Sequence, residues 1–268
     1  MTVHVPERPG VTALAQLSDG RSVALPEEVP VAVVHNGSTL AVMMATPADL
    51  VDFAVGFTLT EGVAAFDEMS DIEIVPQENG IEARMWLPEA RIEALAARRR
   101  AMVGPVGCGL CGIDSLAEAA RKVPEVGPGI ALTGAQVTEA LEALRAFQPL
   151  HDETHAVHAA GFYLPDAGAD GGIVMAREDV GRHNALDKLI GGLARAGIDP
   201  ASGAIVLTSR LSVEMVQKAA MAGVGTVLAV SQPTAHAVRL AEGAGMTLAT
   251  RSRGALNVFT HAHRISGA

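Results

Sequence analysis

The sequence predicts an α/β (α+β) protein in two parts. A β-rich subdomain spans 1–130 and ends in a cysteine-bearing loop and a short helix. An α/β domain with a mixed sheet spans 131–268. Three observations carry this reading. Short apolar runs in the first part are joined by Asn36-Gly37 and Asn79-Gly80, the strongest short-range hairpin signal. From Gly134 onward, strand-like runs alternate with amphipathic helical segments, the order that builds a parallel or mixed sheet covered by helices. At 268 residues, 49% hydrophobic and 19% charged, the chain can bury a large core and is not globally disordered.

In chain order, Val29 to Val34 and Ser38 to Met44 read as paired strands around Asn36-Gly37. Thr46-Pro47-Ala48-Asp49 then reads as an N-cap followed by proline at the first helical position. That helix places Leu50, Phe53, Ala54 and Phe57 on one face and stops near Glu61-Gly62. Ile72 to Val75 and Ile81 to Leu87 form the next strand pair. Residues 104–112 hold four glycines and one proline, which suits neither a helix nor a central strand. Ser115 and Glu118 resemble a capping box opening a short helix. Beyond it, a helix carries Val137, Leu141, Leu144 and Phe147. Strands at 159–164 and 172–176, a helix at 184–196 and a strand at 204–208 follow. Helix 213–222, strand 226–230, helix 235–243 and strands near 246–249 and 256–260 complete the order.

Composition narrows the function. A formal net charge of −10 disfavours non-specific binding to nucleic acid, though a local basic site for a phosphorylated ligand remains compatible with it. The first ten residues carry no apolar signal-peptide core, and no run reaches the roughly 18 apolar residues of a membrane span, so a cytoplasmic protein is expected. The only two cysteines, Cys108 and Cys111, lie three apart, where a disulfide constrains almost no chain. Glycine amides and an approaching helix start favour thiolate there, and Arg98, Arg99 and Arg100 precede the loop. Three uses stay open: sulfur transfer, dithiol redox chemistry, and zinc binding with histidines drawn from His151, His155, His158, His183, His261 and His263.

Two strand-to-helix junctions hold the other candidates. Glu178-Asp179-Val180-Gly181-Arg182-His183-Asn184, running on to Asp187-Lys188, is denser in polar residues than capping requires. Open α/β sheets place ligands at such junctions, and the following helix N-terminus attracts an anion. At Thr208-Ser209-Arg210-Leu211-Ser212, the informative residue is Arg210, with Ser212 as a plain N-cap. Late in the chain, Arg251-Ser252-Arg253-Gly254 offers cationic forks and a close-approach glycine between two strands.

These blocks resemble the FdhD family of formate dehydrogenase accessory sulfurtransferases. The resemblance rests on G-P-V-G-C-G-L-C-G at 104–112, E-D-V-G-R-H-N-A-L-D-K-L-I-G at 178–191, S-R-L-S-V-E-M-V-Q-K-A-A at 209–220, and the run at 36–62. It implies a cytidine-deaminase-like three-layer fold for the C-terminal domain. It implies a cytoplasmic homodimer that accepts persulfide sulfur from a cysteine desulfurase on Cys108, with Cys111 as supporting or relay thiol. The sulfur would pass to the molybdenum bis-guanine-dinucleotide cofactor, bound as substrate, for the formate dehydrogenase apoenzyme; no intrinsic metal is expected. The family's cofactor segment falls on Arg251, Ser252, Arg253, Gly254, Ala255 and Leu256, and His158 is carried over from a Thr-Gly-Gly-type pattern that reads Thr154-His155-Ala156-Val157-His158 here. Where zinc deaminases place metal ligands stand Arg182, His183, Asn184, Ser209 and Arg210, which suit phosphate and guanine instead. The rival function is a non-covalent cofactor- or zinc-binding chaperone in which the cysteines only bind.

Overall fold

The computed structural model describes residues 1–5, 10–101, 123–165, 172–252 and 254–267. Cys108, Cys111, the Ser115 capping box and Arg253 lie outside the described residues, as do the side chains of Arg98 to Arg100.

The first part holds β1 (Val3–His4), β2 (Thr12–Gln16), β3 (Ser22–Pro26), β4 (Val29–His35) and β5 (Ser38–Ala45). It continues with α1 (Leu50–Thr60), β6 (Ser70–Gln77), β7 (Gly80–Trp86) and α2 (Glu89–Ala101). Five of these strands form a sheet in the order β1-β6-β7-β4-β5, and β2 and β3 pair separately. Asn36-Gly37 forms the β4–β5 turn as expected, whereas the β6–β7 turn is Glu78-Asn79, one residue earlier than expected, and Gly80 opens β7; Gly37 and Gly80 both take positive φ. One face of the sheet packs on α1 through Val31, Val33, Ile72, Ile74, Ala83 and Met85.

The second part begins with β8 (Leu132–Thr133), α3 (Gly134–Ala143) and α4 (Pro149–Thr154). Then come β9 (His158–Tyr163), β10 (Ile173–Asp179), α5 (Arg182–Ala196) and β11 (Ala204–Leu207). The chain finishes with α6 (Val213–Met221), β12 (Thr226–Ala229), α7 (Ala235–Gly243), β13 (Thr247–Ser252), β14 (Ala255–Val258) and β15 (Ile265–Ser266). The six-stranded sheet runs β10-β9-β11-β12-β13-β14, with β11, β12 and β13 parallel and the remaining neighbours antiparallel. One face carries α5, α6 and α7 over Phe162, Ile205, Leu207, Val227 and Leu248. The opposite face carries α3 over Ala159, Tyr163, Val206, Leu228 and Ala249. The α/β expectation and its mixed sheet are thus met, as three layers.

The two sheets communicate through α1 against α5. A Cβ on Gly56 would lie 1.7 Å from the Asp187 carbonyl oxygen, and one on Gly191 would lie 1.9 Å from that of Asp52. The two helices therefore touch backbone to backbone, which only glycine permits. Asp52 is buried at this contact, and its carboxylate accepts from Arg177 Nη2 (2.7 Å) and pairs with Arg195.

One expectation fails here. Thr46 is not the N-cap of α1, and Pro47 is not its first residue. The helix starts at Leu50, with Asp49 at the cap in a left-handed conformation (φ 51°) and no side-chain capping bond. The backbone N–H, backbone carbonyl and hydroxyl of Thr46 are all engaged by the segment around Asp179 to Lys188, so long-range bonding overrides the local signal.

Candidate functional site on the sheet edge

The carboxyl ends of β10, β11, β12 and β13 and the start of β9 all meet at one edge of the six-stranded sheet, because β9 and β10 run antiparallel to each other and β11 to β13 run parallel. His158, the 178–184 junction, Ser209-Arg210 and the turn after Ser252 therefore share that edge. Neighbouring strands stand about 4.8 Å apart, so from β9 to β13 the edge extends about 14 Å.

At the first junction, strand alternation turns Glu178 and Asp179 in opposite directions. The Glu178 carboxylate accepts the backbone N–H groups of Leu150 and His151, both at 2.8 Å, and so anchors the start of α4. Asp179 is fully buried. Its Oδ1 accepts Gly181 N–H (2.7 Å) and Asn184 Nδ2–H (2.9 Å), while Oδ2 accepts Thr46 N–H (3.0 Å) and lies 2.6 Å from Lys188 Nζ. Lys188, equally buried, also donates to the Thr46 carbonyl (2.9 Å). Val180 N–H donates to Thr46 Oγ1 (3.2 Å), and Asn184 Nδ2 also donates to the Met44 carbonyl (2.7 Å). Asp179 thus supplies the anion beside the start of α5 that the sequence reading reserved for a ligand.

What remains presented is Arg182 and His183. Among the described residues, the buried Arg182 Nε and His183 Nε2 have no hydrogen-bond partner, and neither has Gln217 Nε2 on α6. Burial, then the Arg182 guanidinium and the Lys218 ammonium, hold the His183 imidazole down at about 4, against the opposite pull of Glu214 and Glu61. His158, facing Asp179 across the strand pair, is lowered as well, by burial first and Arg182 second. The edge therefore offers a guanidinium flanked by two imidazoles that are neutral at pH 7, a set able to bind an acceptor-rich ligand without adding two more positive charges. Beside them, Thr208 Oγ1 accepts Ala159 N–H (2.8 Å), which ties the end of β11 to His158's strand. Ser209 is buried and donates to the Arg210 carbonyl (3.2 Å), and the Arg210 side chain is exposed. Ser212 occupies the N-cap position of α6 but makes no side-chain capping bond.

The other candidates stand apart. Arg251 and Ser252 end β13, facing Leu256 and Ala255 of β14. Gly254 takes φ 80° at the turn, with nothing within 4 Å of where a side chain would stand. The half-buried Arg251 pairs with the exposed Glu142 of α3, and an open groove of about 520 Å³ beside them is lined by Thr138, Glu139, Gly254 and Leu256 among others. His158, Arg182 and His183 are thus brought together, with Asn184 beneath them and Ser209-Arg210 adjoining. The 251–256 hairpin shares only their edge.

Sequence reasoning missed the inward members. A second buried lysine, Lys218, bonds both carboxylate oxygens of Asp187 (3.1 and 3.0 Å), Thr60 Oγ1 (3.0 Å) and Glu61 Oε1 (2.9 Å). Burial pushes Asp187 up to about 6, although Lys218 and the Thr60 hydroxyl pull it down. The available signal was spacing: Asn184 and Lys188 lie four apart on α5, as Asp187 and Gly191 do, so polar and glycine positions line the face that meets α1. Among the described residues, no three His, Cys, Asp or Glu side chains form a group that could hold a metal ion. Among the same residues, no helix is long and apolar enough to cross a membrane.

Fold and site together define a three-layer α/β protein whose polar strand-to-helix junctions are gathered on one sheet edge. The chain belongs to the FdhD/NarQ family, whose profile matches residues 26–266. It is 51% identical over 245 residues to the Sulfur carrier protein FdhD of Agrobacterium fabrum, covering 90% of this chain and 89% of that one. With the Sulfur carrier protein FdhD of Bordetella petrii the identity is 46% over 260 residues, covering 96% and 91%. The fold is also that of a crystal structure from Desulfotalea psychrophila, described as a candidate formate dehydrogenase accessory protein. It superposes with a TM-score of 0.67 at 24% identity over 97% of this chain and all of that one.

Proposed function

We propose that the protein is a sulfur carrier acting as a sulfurtransferase for formate dehydrogenase. Cys108 thiolate attacks the outer sulfur of a persulfide on a cysteine desulfurase. A new S–S bond forms on Cys108, the donor's S–S bond breaks, and the donor cysteine leaves as its thiolate. The recipient is the molybdenum bis-guanine-dinucleotide cofactor, held as substrate. Releasing the sulfur as hydrosulfide takes two electrons. Cys111 supplies them by attacking Cys108 Sγ and closing a disulfide, which a cellular thiol later reduces. Arg182, His183, His158, Ser209, Arg210 and the 251–256 hairpin hold the cofactor along the sheet edge, whose span of about 14 Å between β9 and β13 suits an elongated dinucleotide better than a compact substrate. The carrier works in the cytoplasm as a homodimer.

The observation that supports this most is the sulfur-carrier name borne by relatives that share half their residues with nearly the whole chain. Intact mass after incubation with a cysteine desulfurase and L-cysteine tests it. The expected result is a reducible gain of about 32 Da, one sulfur atom, in wild type and Cys111→Ala and none in Cys108→Ala. No gain in any variant beside an active desulfurase overturns the covalent relay and leaves the binding chaperone.

A further inference from the structure

We infer that Asp179, acting with Lys188 and Thr46, is the positioning device of the sheet-edge site, fixing the backbone that presents Arg182 and His183 to the ligand. This rests on the reading of that edge as the cofactor-binding site.

Four donors converge on the buried Asp179 carboxylate, and each comes from a different part of the junction. Thr46 N–H comes from the end of β5, Gly181 N–H from the loop, Asn184 Nδ2 from the first turn of α5, and Lys188 Nζ from its second turn. Thr46 closes the ring from outside by accepting Val180 N–H and Lys188 Nζ. Glu178 grips the opposite flank through the amides of α4, the segment that leads to His158. Every peptide from Glu178 to Gly181 is therefore tied on one side or the other.

Stability alone does not account for this arrangement. A buried ammonium–carboxylate pair contributes little against apolar residues of similar volume, because both charges lose their water. What it confers here is geometry. The side chains just beyond the clamp, Arg182 and His183, carry buried Nε and Nε2 atoms that have no partner among the described residues. A rigid backbone carrying unpartnered donors is organised before the ligand arrives, and the ligand then meets no ordering cost. Asp179, Lys188 and Thr46 touch no ligand atom themselves.

Thr46→Val is the sharpest probe, since it keeps the volume and both backbone bonds and removes only the acceptor for Val180 N–H. Thr46→Ser is its conservative partner, and Asp179→Asn/Lys188→Met removes both charges at once. The readouts are guanosine diphosphate affinity by calorimetry, Cys108 sulfur loading by intact mass, and the His183 imidazole titration by NMR. In Thr46→Val and the double variant, nucleotide affinity falls about ten- to a hundredfold, sulfur loading stays at the wild-type level, and the His183 titration moves up from about 4 toward its ordinary value. Thr46→Ser restores all three. Unchanged affinity and titration in a folded double variant overturn the positioning role, as does a parallel loss of loading and binding that tracks melting temperature. A wild-type protein that takes up sulfur but does not bind the nucleotide overturns the cofactor reading itself.

Discussion

The 178–184 junction and the 251–256 hairpin occupy the same sheet edge but are built on opposite plans. At the junction, two fully buried charges bonded to Thr46 and the first turn of α5, with Glu178 bonded to the amides of α4, hold the backbone. At the hairpin, Arg251 rests on the exposed Glu142, and Gly254 has no described residue within 4 Å of where a side chain would stand. The difference separates two ways of holding cationic side chains at one sheet edge. The junction is held by buried charges and tolerates little change, whereas the hairpin is held by a solvent-exposed pair and tolerates much. Mutations should report this contrast as a difference in stability cost.

The two largest effects belong to the junction, and one of them to the support beneath it. Gly191→Ala puts a methyl group 1.9 Å from the Asp52 carbonyl, which forces α5 off α1 and displaces the whole 178–188 segment. We expect a loss of about 3 kcal/mol or more, read as a lower urea midpoint at unchanged slope. A fall below about 1 kcal/mol would mean that the helix contact yields easily, and the junction with it.

Removing one charge from each region compares them directly. Lys188→Met leaves the Asp179 carboxylate buried without its ammonium and should cost about 3–5 kcal/mol. Arg251→Ala breaks a solvent-screened pair and should cost under about 1 kcal/mol. Equal costs in urea melts would erase the distinction.

Much of this contrast was legible in the sequence, and the rest was not for a physical reason. Asn36-Gly37 marked its hairpin turn, and Asn79-Gly80 marked the second to within one residue, because turn chemistry is local. The polar run at 178–184 does fall between a strand and a helix, as its pattern predicted. It did not reveal that Asp179 turns inward while Arg182 is presented, because a buried carboxylate needs partners, and one of them is Thr46, 133 residues away. The same contact explains why Thr46-Pro47 looked like a helix start and is not one. Glu142 as the partner of Arg251 was equally hidden, lying 109 residues off on helix α3.

Acid should act on the junction through His183. Its folded pKa of about 4 lies below the ordinary 6.5, so between those values the unfolded chain binds more protons and stability falls as pH drops. Asp187, raised to about 6 from 3.8, works in the opposite sense: its contribution grows as pH falls through 6. The two partly cancel in wild type, and His183→Asn isolates the first. Relative to wild type, that variant should gain stability on going from pH 7.5 to 5. A difference that stays constant with pH would show that His183 titrates normally and that the junction is more open than its burial indicates.

The smallest effects come from two residues in left-handed backbone, one in each region. His155 ends α4 at φ 53°, where the pattern it resembles has glycine, and its ring stands edge-on to His151 at 5.4 Å. Gly254 holds φ 80° with no neighbour. For a residue with a Cβ, this conformation costs about 1–2 kcal/mol. His155→Gly removes that strain but also loses the ring contact and frees the unfolded chain, so a gain of about 0.5 kcal/mol is expected. Gly254→Ala introduces the strain with nothing to offset it and should cost about 1 kcal/mol. Its effect on ligand affinity decides more than its effect on stability. If the hairpin adapts to the ligand, stiffening its turn lowers nucleotide affinity well beyond what the small stability loss explains, while His155→Gly leaves affinity alone. If Gly254→Ala binds as wild type does, the hairpin is already set in its bound shape and the two regions differ only in burial.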